Sequence, residues 1–492
     1  MQTPERLCLH SLPSLPTDVL RPGYARNALT TGIVHLGIGA FHRAHQAVYT
    51  DTVLENGASD WGIAGVSLRS ADTRDALKPQ DGLYTLAVRD GQGDRLRVIG
   101  SVTDVFVAPE SPEAVLELMS RETTRIVSLT ITEKGYCYAP ASASLDEKHP
   151  DIIHDLSNRS EPRSAPGFIV ESLRRRRDAG IAPFTLLSCD NLPTNGTTLK
   201  RVVVHFAELC DAKLAGFIEE YVAFPSTMVD RIVPATTNDD RRMIAVATGF
   251  QDNWPVMTEP FSQWVIEDHF PTGRPTWESA GAIFVEDVSA FELMKLRLLN
   301  GSHSTLAYLG FLAGYETVSD VMKAPGFTEF VRAMMDEEIS PTLPRLPGFD
   351  LVNYKDQLID RFQNPALRHR TAQIAMDGSQ KLPQRLLNTI RERLERKEGV
   401  ERLALGVAGW MRYATGRDES GKAIDVHDPM AHEIWARVAG KTSAKDLAYA
   451  YLGLKNIFGD DLPHSEHFRS QVTAALDQLL VCGSAKSVEM VK

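Results

Sequence analysis

Gly37-Ile38-Gly39-Ala40-Phe41-His42-Arg43-Ala44 closes an apolar run at residues 33–36 and opens a helical pattern at 44–55. A glycine turn between a strand and a helix lets backbone amides approach a pyrophosphate, and the helix N-terminus adds a favourable dipole. Gly37, Gly39, Ala40 and Phe41 are therefore the cofactor-binding candidates of this turn. His42 stands where a G-x-G-x-x-G fingerprint has its third glycine. A plain tight turn accounts for the string as well as a nucleotide site does.

Moving outward, further strand-like runs lie at 62–68, 97–99, 126–131 and 184–188, and helical patterns at 114–119 and 167–177. Several of the strands are unbroken apolar runs, as parallel strands covered on both faces require. This alternation predicts an α/β domain of Rossmann type. After residue 287 the texture changes to long helical spacings at 292–312, 327–338, 382–397, 403–413 and 445–451. The expected organisation is a dinucleotide-binding domain over 1–286 and a mainly α-helical domain over 287–492 that carries substrate and catalysis.

The chain of 492 residues is 43% hydrophobic and 24% charged, which is ordinary globular composition and enough for two cores. No stretch approaches 18 consecutive apolar residues, so no membrane span is expected. Residues 1–22 are proline-rich and polar and do not read as a secretory signal. Five scattered cysteines without a C-x-x-C pair suit a reducing, cytoplasmic setting. The net charge of −11 disfavours nucleic acid and acidic lipid as partners, while a local Lys/Arg cluster would still accept a small anion.

The second strand leads into Arg69-Ser70-Ala71-Asp72. An acid here suits the ribose hydroxyls of NAD and an arginine suits the 2′-phosphate of NADP, so Arg69 and Asp72 leave both open. His42 and His45 have a spacing compatible with metal ligation, but no carboxylate or cysteine partner is evident, and packing explains them more simply.

Catalytic residue types concentrate between Ser289 and His303. Ser289 and Glu292 form a capping-box pattern, so a helix is expected to begin there. At ~100° per residue, Lys295, His303 and Asn300 fall at about 0°, 80° and 140°, on one broad face. A lysine among Leu and Met loses hydration, which lowers its pKa and suits it to act as a base; the alternative is a lysine that snorkels to solvent. Gly301 weakens the helix by about 1 kcal/mol, a cost explained by close approach of a ligand or another backbone. Ser188-Cys189-Asp190-Asn191 ends a strand where open α/β sheets bind ligands. Asn191 could donate to a substrate oxygen, or the string could be an Asx turn before Pro193.

Taken together, these strings resemble the polyol-specific long-chain dehydrogenase/reductase family, the mannitol dehydrogenase family, over roughly residues 30–480. The resemblance rests on Gly37 through Gln46, Ser128-Leu129-Thr130-Ile131-Thr132-Glu133, Ser188 through Asn191, Met228-Val229-Asp230-Arg231-Ile232, and Met294-Lys295 through His303. It implies a Rossmann-type first domain, a helical second domain, no catalytic metal, and Lys295 as general acid/base with Asn191, Asn300 and His303. It also places Thr132 and Glu133 on the cofactor side and Asp230 on the substrate side. It allows a monomer.

Within the family, Thr132 through Tyr136, Asn364 through Thr371 and Gln373 through Leu387 are similar to the fructuronate reductase branch. Lys134, Gln373 and Ala71 depart from the pattern of the mannitol branch. The implied reaction interconverts D-fructuronate and D-mannonate by hydride transfer at C5, with NAD as cofactor and NADP not excluded. A carboxylate wants Arg or Lys donors. Arg368, Arg370, Lys381 and Arg385 supply them, unless they form a solvated basic face. Mannitol 2-dehydrogenase and tagaturonate reductase activities are the alternatives within this chemistry, and a nucleotide-binding sensor is the alternative outside it.

Overall fold

The computed structural model describes residues 5–91, 93–139, 144–346 and 348–491. The chain divides after Ser289 into two compact units.

The first unit is built on a five-stranded parallel sheet in the order Val102–Val107, Gly62–Ser67, Thr31–Leu36, Ile126–Leu129, Thr185–Ser188. In chain order this is 3-2-1-4-5, the order of a dinucleotide-binding sheet, and it reverses direction beside Thr31–Leu36. The apolar runs are unbroken because each strand feeds two cores. Val34, Leu36, Val127, Leu129 and Leu186 pack on one face with the helices Pro112–Ser120, Ala165–Asp178 and Asn195–Cys210. Ile33, Ile63, Ile126 and Leu187 pack on the other with Ala47, Val53, Leu54, Trp264 and Trp277. This is the period-2 alternation of a strand with both faces covered.

The structure departs from the sequence reading at several elements of this unit. The edge strand Val102–Val107 carries polar Thr103 and Asp104, which interrupt its apolar pattern. Residues 97–99 belong to Gly93–Ile99, which pairs antiparallel with Tyr84–Asp90, outside the parallel sheet. The helix expected over 44–55 is two helices, Ala40–Ala44 and Gln46–Glu55, separated by His45 at φ −121°, ψ −95°.

The second unit is helical. The expected helices at 292–312, 327–338 and 382–397 are present, but each contains a π-helical stretch: Lys295–Gly301, Met334–Ile339 and Pro383–Leu387. Helices Ser302–Leu312 and Glu401–Ala414 are buried almost all round and form its centre. Among the described residues no helix is long and apolar enough to cross a membrane.

Candidate active site

Gly37 has φ +90°, and a Cβ there would fall 2.3 Å from the Thr130 carbonyl oxygen. Only glycine lets the chain turn this tightly against the neighbouring strand. A Cβ on Gly39 would meet nothing closer than 3.8 Å, so the turn is open on the side a ligand would approach. Ala40 and Phe41 begin the short helix that follows, where backbone amides lack intrahelical acceptors. This glycine cradle fits a dinucleotide pyrophosphate.

His42, at the third-glycine position, is fully buried and stacks on His35 with centroids 3.5 Å apart and ring planes 17° apart. His35 contacts Ser128 Oγ and Thr130 Oγ1, each at 2.8 Å, and Ser128 Oγ donates to Gln46 Oε1 at 2.8 Å. Burial holds both imidazoles neutral: His35 is lowered to about 3 and His42 lies well below the usual histidine range. His45 stacks on Phe41 and contacts the Gln263 carbonyl at 3.1 Å. Both histidines of the H-x-x-H spacing are thus engaged in packing beneath the loop.

On the other side of the switch point, Asp190 accepts hydrogen bonds from the amides of Ile131 (2.9 Å) and Thr132 (3.0 Å) and from the Tyr136 hydroxyl (2.8 Å). Thr132 is held at φ +61°, which a β-branched residue rarely adopts. Strain of this kind clusters where a loop must present backbone to a ligand. Thr132, Glu133 and Asn191 are exposed along this edge. Asp190 itself was not a candidate from sequence. Its signal is a carboxylate at a strand end flanked by polar residues, which an Asx turn imitates.

Arg69 pairs with Asp151 at 2.9 Å, and Asp72 is the exposed first residue of the helix Asp72–Leu77. Asp230 is buried at the end of Thr227–Asp230, opposite Gln263 of the antiparallel strand Gln263–Glu267. Its neighbour Arg231 is spent on the carbonyls of Ala44 and Glu259.

In the second unit Ser289 is the first residue of the helix Ser289–Met294. Its amide and hydroxyl both donate to Asp287, at 2.8 and 2.6 Å. The π-helical winding of Lys295–Gly301 corrects the angular reading of the candidate face. In i→i+5 winding, residues five apart lie about one turn apart, so Lys295 and Asn300 come nearer to one side of the helix than the ~140° of an α-helix. Both are half-buried. Arg297, 2% exposed, pins the stretch by pairing with Glu392 and donating to Thr342 Oγ1 at 2.7 Å. An arginine inside a leucine run is the sequence signal that was passed over.

Gly301 has a backbone neighbour. A Cβ there would fall 2.9 Å from the Arg385 carbonyl oxygen. Arg385 in turn donates to Ser304 Oγ at 2.9 Å and reaches the Asn300 carbonyl at 3.5 Å. Half-buried Lys381 donates to the Met376 carbonyl at 2.6 Å. Lys381, Arg385 and His303 therefore share one neighbourhood, and the charges of Arg385 and Lys381 are felt at His303. Arg370 stands apart: it is exposed and faces Glu316 at 3.7 Å. Arg368 is exposed and left-handed, at φ +45°.

Profiles of known families match both units: the mannitol dehydrogenase Rossmann domain over residues 31–279 and the mannitol dehydrogenase C-terminal domain over 287–480. The chain belongs to the mannitol dehydrogenase family. It is 50% identical to the D-mannonate oxidoreductase of Escherichia coli, over 96% of this chain and 97% of that one. The mannitol 2-dehydrogenase of Pseudomonas fluorescens, solved as a ternary complex with NAD and D-mannitol, superposes with a TM-score of 0.83 at 40% identity, over 98% and 99% of the two chains. A D-sorbitol dehydrogenase solved in substrate-free form gives a TM-score of 0.93 at 35% identity, over 98% of this chain and 100% of that one. The protein is thus an oxidoreductase of the mannitol dehydrogenase type, with a Rossmann domain and a helical domain.

Proposed function

We propose that this mannitol dehydrogenase family member interconverts D-mannonate and D-fructuronate at C5, without a metal and with Lys295 as general acid/base. The observation that carries the reading is the concentration of cations around His303. Arg385, Arg361 and Lys381 all act on its imidazole. Such an environment suits a sugar acid better than a neutral polyol. The similarity to a D-mannonate oxidoreductase supports the same choice.

Gly37, Gly39, Ala40 and Phe41 would hold the dinucleotide, with Thr132 and Glu133 on the opposite side. NAD is the proposed cofactor, because Arg69, the cation suited to a 2′-phosphate, is occupied by Asp151. When bound, the nicotinamide accepts or supplies the hydride. Lys295 takes the C5 hydroxyl proton in oxidation and returns it in reduction. Asn300 is the proposed donor to that oxygen, Asn191 is a candidate for the same kind of contact, and removing one such donor costs ~3 kcal/mol at the transition state. His303 and Asp230 orient the substrate hydroxyls, and Lys381 and Arg385 are the candidate carboxylate donors, while Arg370, exposed and facing Glu316, stands outside their group. Oxidation of D-mannonate with NAD, followed by identification of the product keto acid, tests the reading. A protein that oxidises D-mannitol and leaves D-mannonate untouched would be a mannitol 2-dehydrogenase instead.

A further inference from the structure

We infer that Arg231 is a positioning residue for the reaction: its guanidinium fixes the strand end that bears Asp230 against the helix that closes the cofactor turn. The inference rests on the dehydrogenase reading above, in which Asp230 orients a substrate hydroxyl and Gly37 through Phe41 hold the dinucleotide. It goes beyond that reading by naming what holds the two sides together.

The helix Ala40–Ala44 is five residues long and stops where His45 leaves helical geometry, at φ −121°, ψ −95°. A helix end leaves carbonyls without intrahelical donors. Here the His42 carbonyl accepts from the His45 amide at 3.2 Å, the Arg43 carbonyl from the Tyr84 hydroxyl at 2.6 Å, and the Ala44 carbonyl from Arg231 Nη1 at 2.5 Å. The same guanidinium donates through Nη2 to the Glu259 carbonyl at 3.1 Å. Glu259 is fully buried, and its carboxylate accepts from the Ile232 amide at 2.7 Å, while Thr258 Oγ1 donates to the Ile232 carbonyl at 2.9 Å. Asp230 is 5% exposed and ends the strand Thr227–Asp230. The segment Asp230-Arg231-Ile232 is thus fastened on one side to the end of the strand Val256–Thr258 and, through Arg231, on the other to the helix of the cofactor turn.

Burial lowers the Arg231 guanidinium to about 10, with Tyr49 and then Glu259 acting the other way, so it is charged at neutral pH. Its planar fork reaches two carbonyls at once, which the compact head of a lysine does not reproduce. An apolar side chain in its place leaves both carbonyls short of a donor. A shift of about 1 Å between reacting groups costs on the order of 100-fold in rate, so play between the two sides is read in turnover.

The first arm of the test needs no cofactor: hydrogen–deuterium exchange of the full chain and of Arg231→Met. Exchange over residues 40–48 is expected to quicken about tenfold or more, with the strand at residues 126–129 unchanged. The second arm is reduction of D-fructuronate and of D-fructose with NADH, read as kcat/KM for whichever ketone the parent reduces faster. Arg231→Met is expected to lose about tenfold or more in the parent background and less than about threefold in an Asp230→Asn background, with Arg231→Lys between parent and Arg231→Met. A loss of folded protein alone would lower both backgrounds equally. Equal losses in the two backgrounds, exchange over 40–48 that is unaltered or quickened no more than at 126–129, or full activity of Arg231→Met overturns the positioning role and leaves the dehydrogenase reading intact. A parent that reduces neither ketone overturns that reading and the role with it.

Discussion

The Asp190 carboxylate holds the amide of Thr132 at 3.0 Å and so fixes a threonine at φ +61° on the edge of the parallel sheet. With the Ile131 amide and the Tyr136 hydroxyl, it ties together the loops that follow two neighbouring strands. Burial raises the carboxyl above the usual aspartate value while these donors oppose the shift. Asp190→Ala should free the strained Thr132 turn and lose roughly 1.5–3 kcal/mol per charged hydrogen bond removed. Fluorescence titration with NADH should show affinity weakened at least tenfold. Unchanged affinity would mean that this loop does not present the cofactor site.

Acid should destabilise the fold through His35 and His42. Both are neutral when folded, and burial puts His35 at about 3 and His42 well below its usual value. The unfolded chain titrates near pH 6.5, so between these values it binds more protons than the folded one. Stability is therefore complete above about pH 6.5 and falls below it, by up to about 1.4 kcal/mol per pH unit for each group. Urea midpoints at pH 7.5 and 6.0 measure the slope. His42→Phe, which keeps the stack on His35, should make it shallower.

Arg297 and Glu392 should respond asymmetrically. Arg297 is 3% exposed at its side chain, and Glu392 is 36% exposed. Glu392→Ala strands a buried guanidinium and should cost about 3 kcal/mol. Arg297→Met leaves a carboxylate that can reach water and should cost less. Equal losses in denaturant titrations would show that the pair does not anchor the π-helical stretch as described.

Gly301→Ala would place a methyl carbon 2.9 Å from a backbone oxygen. The two π-helical stretches would have to separate, at about 1–3 kcal/mol. Because Asn300 and Lys295 ride on one of them, kcat should fall more than thermal stability alone explains. A variant with full kcat would mean that the close approach serves packing only.

The parallel sheet was legible because its inner strands are apolar on both faces, and the glycine turn because Gly37 must turn against Thr130. Val102–Val107 was not, because an edge strand with Thr103 and Asp104 has no such pattern. The π-helical winding of Lys295–Gly301 was hidden for a different reason: composition does not separate i→i+4 from i→i+5 bonding. Lys295, Asn300 and His303 could be nominated without knowledge of the winding, since all three lie within one continuous helical segment. Asp190, Arg297 and Arg361 depend on partners distant in sequence, and each has a bland local reading.

The most direct test of the central claim is kcat/KM for NADH-dependent reduction of D-fructuronate and D-fructose by the protein and by Lys295→Ala. The account predicts a preference for D-fructuronate of roughly 100-fold or more, about 2.7 kcal/mol at the transition state, and loss of both reductions in Lys295→Ala. D-fructose as the better substrate, or a Lys295→Ala variant as active as the parent, would contradict it.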